Sequence, residues 1–337
     1  RNKLKKVLVK WTRSIRSFRF PDGEAATVDR QESDEKDLAK RDRTKRKKKG
    51  ADEFLDPAKR AKVKKALIGR WRFIDTRHYI VIYNCDLPLA RYIANRVEYL
   101  RVNAFEKVFP PPYPIKECGV IRICKEMKEY MAYGAPGGSA GYWSSGDDEL
   151  VFPDLSPSKR ADPLTIGVMQ HEGFHQYIHY ALAGNAPPIW FNEGFAEYFF
   201  CVSMKSTGKK LRFEEKHPMR YSVIKSALGS GNITPIKDFI WLTQGEHYRK
   251  SGLHYSEGWA FCRWLMHDTR NERYRQIPKI LFEEMQKAFV AQEKAGPGAR
   301  VWGRGPRDHP ILKAATEKAF EGIDLDQLEK DFRKGFK

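Results

Sequence analysis

Apolar residues follow two regimes along the chain. Up to about residue 153 they come in short β-branched and aromatic runs, and HYIVIYN (78–84) and CGVIRIC (118–124) read as buried strands. Between these runs, apolar positions recur at helical spacing from Leu87 to Val108, until Pro110-Pro111-Pro112 stops them. Pro136-Gly137-Gly138 marks a loop, after which AGYWSS and DELVFP are set to pair as a hairpin around Gly146-Asp147. Strand, helix, strand and hairpin predict an α/β sheet layer. From Pro163 the period becomes helical, with helices predicted over 163–183, 188–201, 218–228, 235–244, 253–268, 274–292 and 309–320. A last amphipathic helix follows Asp324, the loop 296–308 is the evident break, and no internal repeat is visible.

The N-terminal part follows neither regime. Residues 5–20 alternate as a strand or two, ended by the turn signal Pro21-Asp22-Gly23. Asp29 to Gly50 is almost without apolar residues, and a short basic helix is expected near 57–69. A stretch so polar buries too little surface to fold by itself. Charge sharpens the division. Residues 1–66 hold 23 Lys/Arg against 11 Asp/Glu, about twelve of the chain's nineteen net positive charges. The densest run, KRKKK at 45–49, makes residues 41–49 a candidate contact for a polyanion, a nucleic acid or a membrane surface, although a solvated linker is the favoured reading.

Length and composition set further bounds. At 337 residues, with 41% hydrophobic content, the chain is expected to form two domains or two lobes. No apolar run reaches the eighteen or so residues that a membrane-spanning helix needs. The first residue is Arg1, so an N-terminal piece is expected to have been cut away or left out. The cysteines, Cys85, Cys118, Cys124, Cys201 and Cys262, are scattered and never form a C-x-x-C pair. They specify neither a disulfide framework nor a metal knuckle, and Cys201 and Cys262 are expected in the core.

Chemistry concentrates in QHEGFHQYIHY, residues 170–180. His171 and His175 lie four apart, on one face of a helix, where both imidazoles can reach one zinc ion. Glu172 flanks the ion without binding it, as a base for a zinc-activated water must. His179 lies eight residues after His171, about 12 Å along the helix, too far to share that ion. After Gly184 and Pro187-Pro188, a second helix opens with IWFNEGFAEYFF. An antiparallel pair of helices would bring Glu193 opposite the histidines as third ligand, completing one zinc site with a place left for water. Glu197, one turn further on, is positioned to accept the free ring N–H of a ligand histidine.

HEGFH followed by NEGFAEYF resembles the gluzincin metallopeptidases, and most closely the peptidase MA-like families, which share this second motif with aminopeptidase N-type enzymes. The likeness spans roughly residues 70–337 and includes HYSEGWAFCRWL. It implies an α+β, two-lobed zincin fold. Its parts would be an α/β lobe with a mixed sheet and the zinc helices (67–201) and a mostly helical lobe (202–337), while residues 1–66, which have no counterpart in the likeness, are expected from their composition to be a basic arm, partly disordered or prodomain-like. It implies His171, His175 and Glu193 as zinc ligands and Glu172 as general base. An oxyanion donor is expected on a later helix, Tyr255 or its rival His254. Ala140-Gly141-Tyr142 is expected to be the sheet edge along which a peptide or protein substrate pairs. The aminopeptidases of the clan carry a glutamate-bearing G-x-M-E-N segment before HExxH. This chain has GAPGGSAGYW instead, which favours an endopeptidase. The resemblance also favours an extracytoplasmic or secreted location, while oligomeric state stays open. Two alternatives are a catalytically silent zinc site that binds peptides and a polyanion or nucleic-acid binder acting through its arm.

Overall fold

Tyr79–Tyr83 is buried at every position, so both faces of this strand need cover, and the chain supplies it. The computed structural model describes residues 54–111, 113–155, 162–204, 211–296 and 304–336. The strands expected over 5–20 and the basic run at 41–49 lie outside the described residues, as does most of the loop 296–308. The fold is α+β, with a mixed five-stranded sheet.

The sheet is built from β1 (Arg72–Asp75), β2 (Tyr79–Tyr83), β3 (Gly119–Cys124), β4 (Tyr142–Ser144) and β5 (Glu149–Pro153), in the order β1-β2-β3-β5-β4. β2, β3 and β5 run parallel, and the two edge strands are antiparallel to their neighbours. Helix α1 (Pro57–Lys65) covers one face through Val63, which packs with Leu67 and Trp71 on Ile80, Ile82 and Val120. α2 (Leu87–Leu100) links β2 to β3 and continues through a π-helical turn (Arg101–Phe105) to Val108. α3 (Met127–Ala132) sets Tyr130 against Cys124 and Val151. The other face carries Val81, Ile121, Leu150 and Phe152 and belongs to the main core with α4 (Pro163–Ala181).

α4 starts where the sequence predicts. Pro163 occupies its first turn and the Asp162 carboxylate accepts the Leu164 N–H at 2.7 Å. It ends at Ala181, and left-handed Ala183 and Gly184 close the turn beyond it, the Gly184 N–H donating to the His179 carbonyl at 2.8 Å. α5 (Ile189–Phe200) follows, and a small sheet of β6 (Val202–Met204) and β7 (Leu211–Phe213) was not anticipated. The remaining helices are α6 (Tyr221–Ser230), α7 (Ile236–Phe239), α8 (Gln244–Arg249), α9 (Ser251–Arg263), α10 (Glu272–Arg275), α11 (Ile277–Ala295), α12 (Pro310–Ala319) and α13 (Leu325–Gly335). The helix expected over 235–244 is thus only one turn, α7. The chain turns after Phe239 and restarts at a capping box in which Thr243 and Glu246 satisfy each other's backbone N–H groups.

Two contacts fix α5. Phe174 of α4 meets Phe195 and Phe199 of α5, with ring centroids 6.3 and 5.0 Å apart, so aromatics pack the α4–α5 seam beside the histidines. On its far side, α5 crosses α9 with almost no separation. A Cβ added at Gly194 would lie 2.6 Å from Cys262 Sγ and 2.7 Å from the Gly258 carbonyl oxygen. That crossing places α9 residues near Glu193. Gly194→Ala is expected to destabilise the protein by roughly 1–3 kcal/mol, because two backbones must separate. Chemical denaturation measures it, and an unchanged midpoint would show that the crossing is looser than described.

Candidate metal centre

Gln170 decides how the two motif helices meet. Its buried amide donates to the Phe199 and Phe200 carbonyls, both at 2.9 Å, and accepts from Arg96 of α2 at 3.0 and 2.6 Å. The last carbonyls of a helix have no partner within it, so Gln170 ties the C-terminal end of α5 to α4. With that end tied and the 182–188 turn joining the other, Glu193 faces the residues next to Gln170.

His171 Nε2 and His175 Nε2 lie 3.1 Å apart, and Glu193 Oε2 lies 3.3 and 3.4 Å from them. Donors about 2.0–2.1 Å from one tetrahedral ion stand about 3.3–3.4 Å from each other, so the triangle matches one face of such a tetrahedron. Glu193 is 4% exposed and its Oε2 has no hydrogen-bond partner, which is the condition of an oxygen aimed at something else. These three residues could hold a metal ion. Histidine and carboxylate donors suit zinc.

The surroundings fix each donor. Asn192 Oδ1 accepts from His175 Nδ1 at 2.9 Å, leaving Nε2 as the nitrogen that faces the cluster. Tyr248 of α8 donates to Glu193 Oε1 at 3.0 Å, which leaves Oε2 for an ion. Burial pulls the His175 pKa down, but the Glu193 carboxylate outweighs it and holds the imidazole up at about 9. Burial would raise Glu193, and the two imidazoles more than reverse this, keeping its carboxyl well below the usual carboxylate range.

Compared with known proteins, the chain matches no family model and no curated protein sequence.

A cleft of about 240 Å³ opens on this cluster, and His171, Glu172, His175, Glu193 and Tyr255 all line it. Burial raises the Glu172 pKa above the ordinary glutamate value, against the weaker pull of the nearby Trp143 backbone N–H. Gly141 makes that proximity possible, since a Cβ there would meet Val168 Cγ1 at 2.5 Å and Glu172 Cγ at 3.2 Å. Gly141 and Tyr142 line the cleft beside edge strand β4, whereas Ala140 does not and packs against the core.

The two rivals on α9 separate cleanly. Tyr255 stands with its ring centroid 6.2 Å from that of His171, parallel to Tyr248 at 6.3 Å. Burial, with the Glu193 charge behind it, pushes its phenol pKa far up, so it remains a neutral donor. His254 is 3% exposed and its nitrogens are engaged elsewhere. Nδ1 donates to the His247 carbonyl at 2.8 Å, and Nε2 lies 3.2 Å from the Thr234 hydroxyl. His179 packs its ring on Trp143 and stays out of the donor cluster.

Glu197 departs from expectation. Its Oε1 is 3.6 Å from His171 Nδ1, too long for a hydrogen bond. Its bonds go instead to Arg220, at 3.1 and 2.7 Å, and His217 Nε2 stands 2.6 Å from Oε2. Arg220, His217, Tyr248 and Gln170 were all missed by sequence reasoning. Of these, only Gln170 carried a local signal, as a polar residue placed on a buried helix turn.

Proposed function

We propose that this chain is a zinc-dependent metallopeptidase of the gluzincin kind that cleaves within peptide chains. The proposed architecture is the two-lobed one, with the sheet and motif helices (67–201) on one side of the cleft and the helical segment (202–337) on the other. The observation that carries the reading is the donor triangle, with sides of 3.1, 3.3 and 3.4 Å, opening on a cleft that Glu172 also lines.

When bound, zinc would polarise the scissile carbonyl and acidify a water. Glu172, with its raised pKa, takes a proton from the attacking water and delivers it to the leaving amine. Tyr255, kept as a neutral phenol, donates to the oxyanion that develops on the substrate carbonyl. The free edge of β4 aligns an extended substrate by backbone hydrogen bonds. The lining also supports cleavage away from chain ends. Among the described residues that line the cleft, Glu172 and Glu193 are the only carboxylates and none is Lys or Arg. Neither a terminal amine nor a terminal carboxylate has a dedicated partner there.

Digestion of a peptide library tests this directly. Internal cuts should disappear when a chelator strips the protein and return with added zinc, whereas cutting that survives verified metal removal would refute the mechanism. Tyr248→Phe is expected to weaken zinc affinity about 10–100-fold, since the Glu193 carboxylate loses the phenol that orients it. Competition with a chromophoric chelator measures this, and unchanged affinity would show that Tyr248 has no such role.

A further inference from the structure

Arg220 caps the start of α6, far in sequence from either motif, yet it touches both halves of the site. Its Nε and Nη2 donate to the two oxygens of Glu197, at 3.1 and 2.7 Å. Its guanidinium carbon stands 5.0 Å from the centroid of the Tyr255 ring. Glu197 is 2% exposed and lies directly behind His171, with Oε1 3.6 Å from Nδ1. A buried carboxylate needs a partner to stay charged and in place. A planar fork fixes both of its oxygens at once, which a lysine ammonium cannot do. The same planar cation lies over the aromatic face of Tyr255, an attractive arrangement that fixes the tilt of the ring. Among the described residues, His171 and Arg220 both contact Glu197 and Tyr255, and of the two only Arg220 lies outside the donor cluster.

We propose that Arg220 is a positioning residue that couples the ligand side of the site to its oxyanion side. Its fork holds Glu197 behind His171, and its flat face holds the Tyr255 phenol toward the cleft. The Tyr255 half of this assignment rests on the peptidase reading above; the His171 half rests only on the donor cluster.

Arg220→Lys keeps the charge while losing the fork and the flat face. It should lower zinc affinity about tenfold, because the Glu197 charge behind His171 is no longer held in place by the fork. It should also lower kcat on a cleaved peptide by about tenfold while KM stays within twofold. In a Tyr255→Phe background the same substitution should no longer lower kcat, because the phenol through which it acts is gone, whereas the loss of zinc affinity should persist. A merely structural arginine predicts otherwise: a lower melting temperature, with zinc affinity and kcat within twofold of wild type. That result would overturn the proposal. So would kcat losses that multiply independently in the double variant. A wild type that binds zinc but cleaves no peptide would remove the peptidase reading and the Tyr255 half together. Unaltered zinc affinity in Arg220→Lys would overturn the His171 half whatever the cleavage result.

Discussion

Glu172→Gln is expected to lower peptide turnover about 10²–10⁴-fold while the protein still takes up one zinc ion. The amide has the same shape as the carboxylate and keeps its place in the lining of the cleft. It cannot accept the proton of the attacking water. The donor cluster is formed by other residues, so the ligands and the fold should be unaffected. Metal content and kcat measured on the same preparation give the answer. Retention of more than a tenth of wild-type turnover would remove Glu172 from the role of base, and loss of the metal would mean that its carboxylate helps to hold the ion.

The second large effect comes from Glu193→Ala. Zinc affinity should fall by more than the roughly 10–100-fold that loss of an outer partner causes, and peptide cleavage should fall with it. Two half-buried imidazoles 3.1 Å apart would remain without the carboxylate that reconciles them. The pH dependence carries the same signature. In the metal-free protein the His175 pKa is raised to about 9, mainly because Glu193 outweighs burial. A raised pKa means that the His175–Glu193 pairing stabilises the metal-free fold fully below the ordinary histidine value. That contribution fades as pH rises through about 9. The same proton must leave before His175 can donate to an ion. Zinc uptake near pH 7 should therefore release a proton from His175, and affinity should climb as pH rises toward 9. In Glu193→Ala the largest influence opposing burial at His175 is gone, leaving only Glu172 and Asn192, and that proton release should shrink. Calorimetry in buffers of different ionisation enthalpy reads it, and equal proton release in both proteins would contradict the pairing.

The parts of this fold that were legible from sequence are those specified by local periodicity. HYIVIYN and CGVIRIC are short β-branched runs buried on both faces, and they became the central strands β2 and β3. The motif helices announced themselves through Asp162-Pro163 at one start and Gly184 with Pro187-Pro188 between them. The convergence of His171, His175 and Glu193 was readable because a short turn leaves two helices few ways to pack. β1 was not readable, since RFID is four residues long with a half-exposed pattern that resembles a loop. The split between α7 and α8 was signalled by Thr243 and Glu246 and was passed over. Arg220 and Tyr248 reach the site from 23 and 55 residues away from their partners Glu197 and Glu193. No periodicity encodes such contacts. They follow from how α5 lies against α9 at Gly194, and so from packing of the whole core.

The central claim is that one divalent ion sits between His171, His175 and Glu193. Zinc-edge X-ray absorption on protein loaded with a single equivalent tests it most directly. The account predicts two imidazole nitrogens and carboxylate oxygen within about 2.0–2.2 Å of the ion, with one imidazole lost in His175→Ala. A folded protein that takes up no zinc, or a spectrum that His175→Ala leaves unchanged, would contradict it.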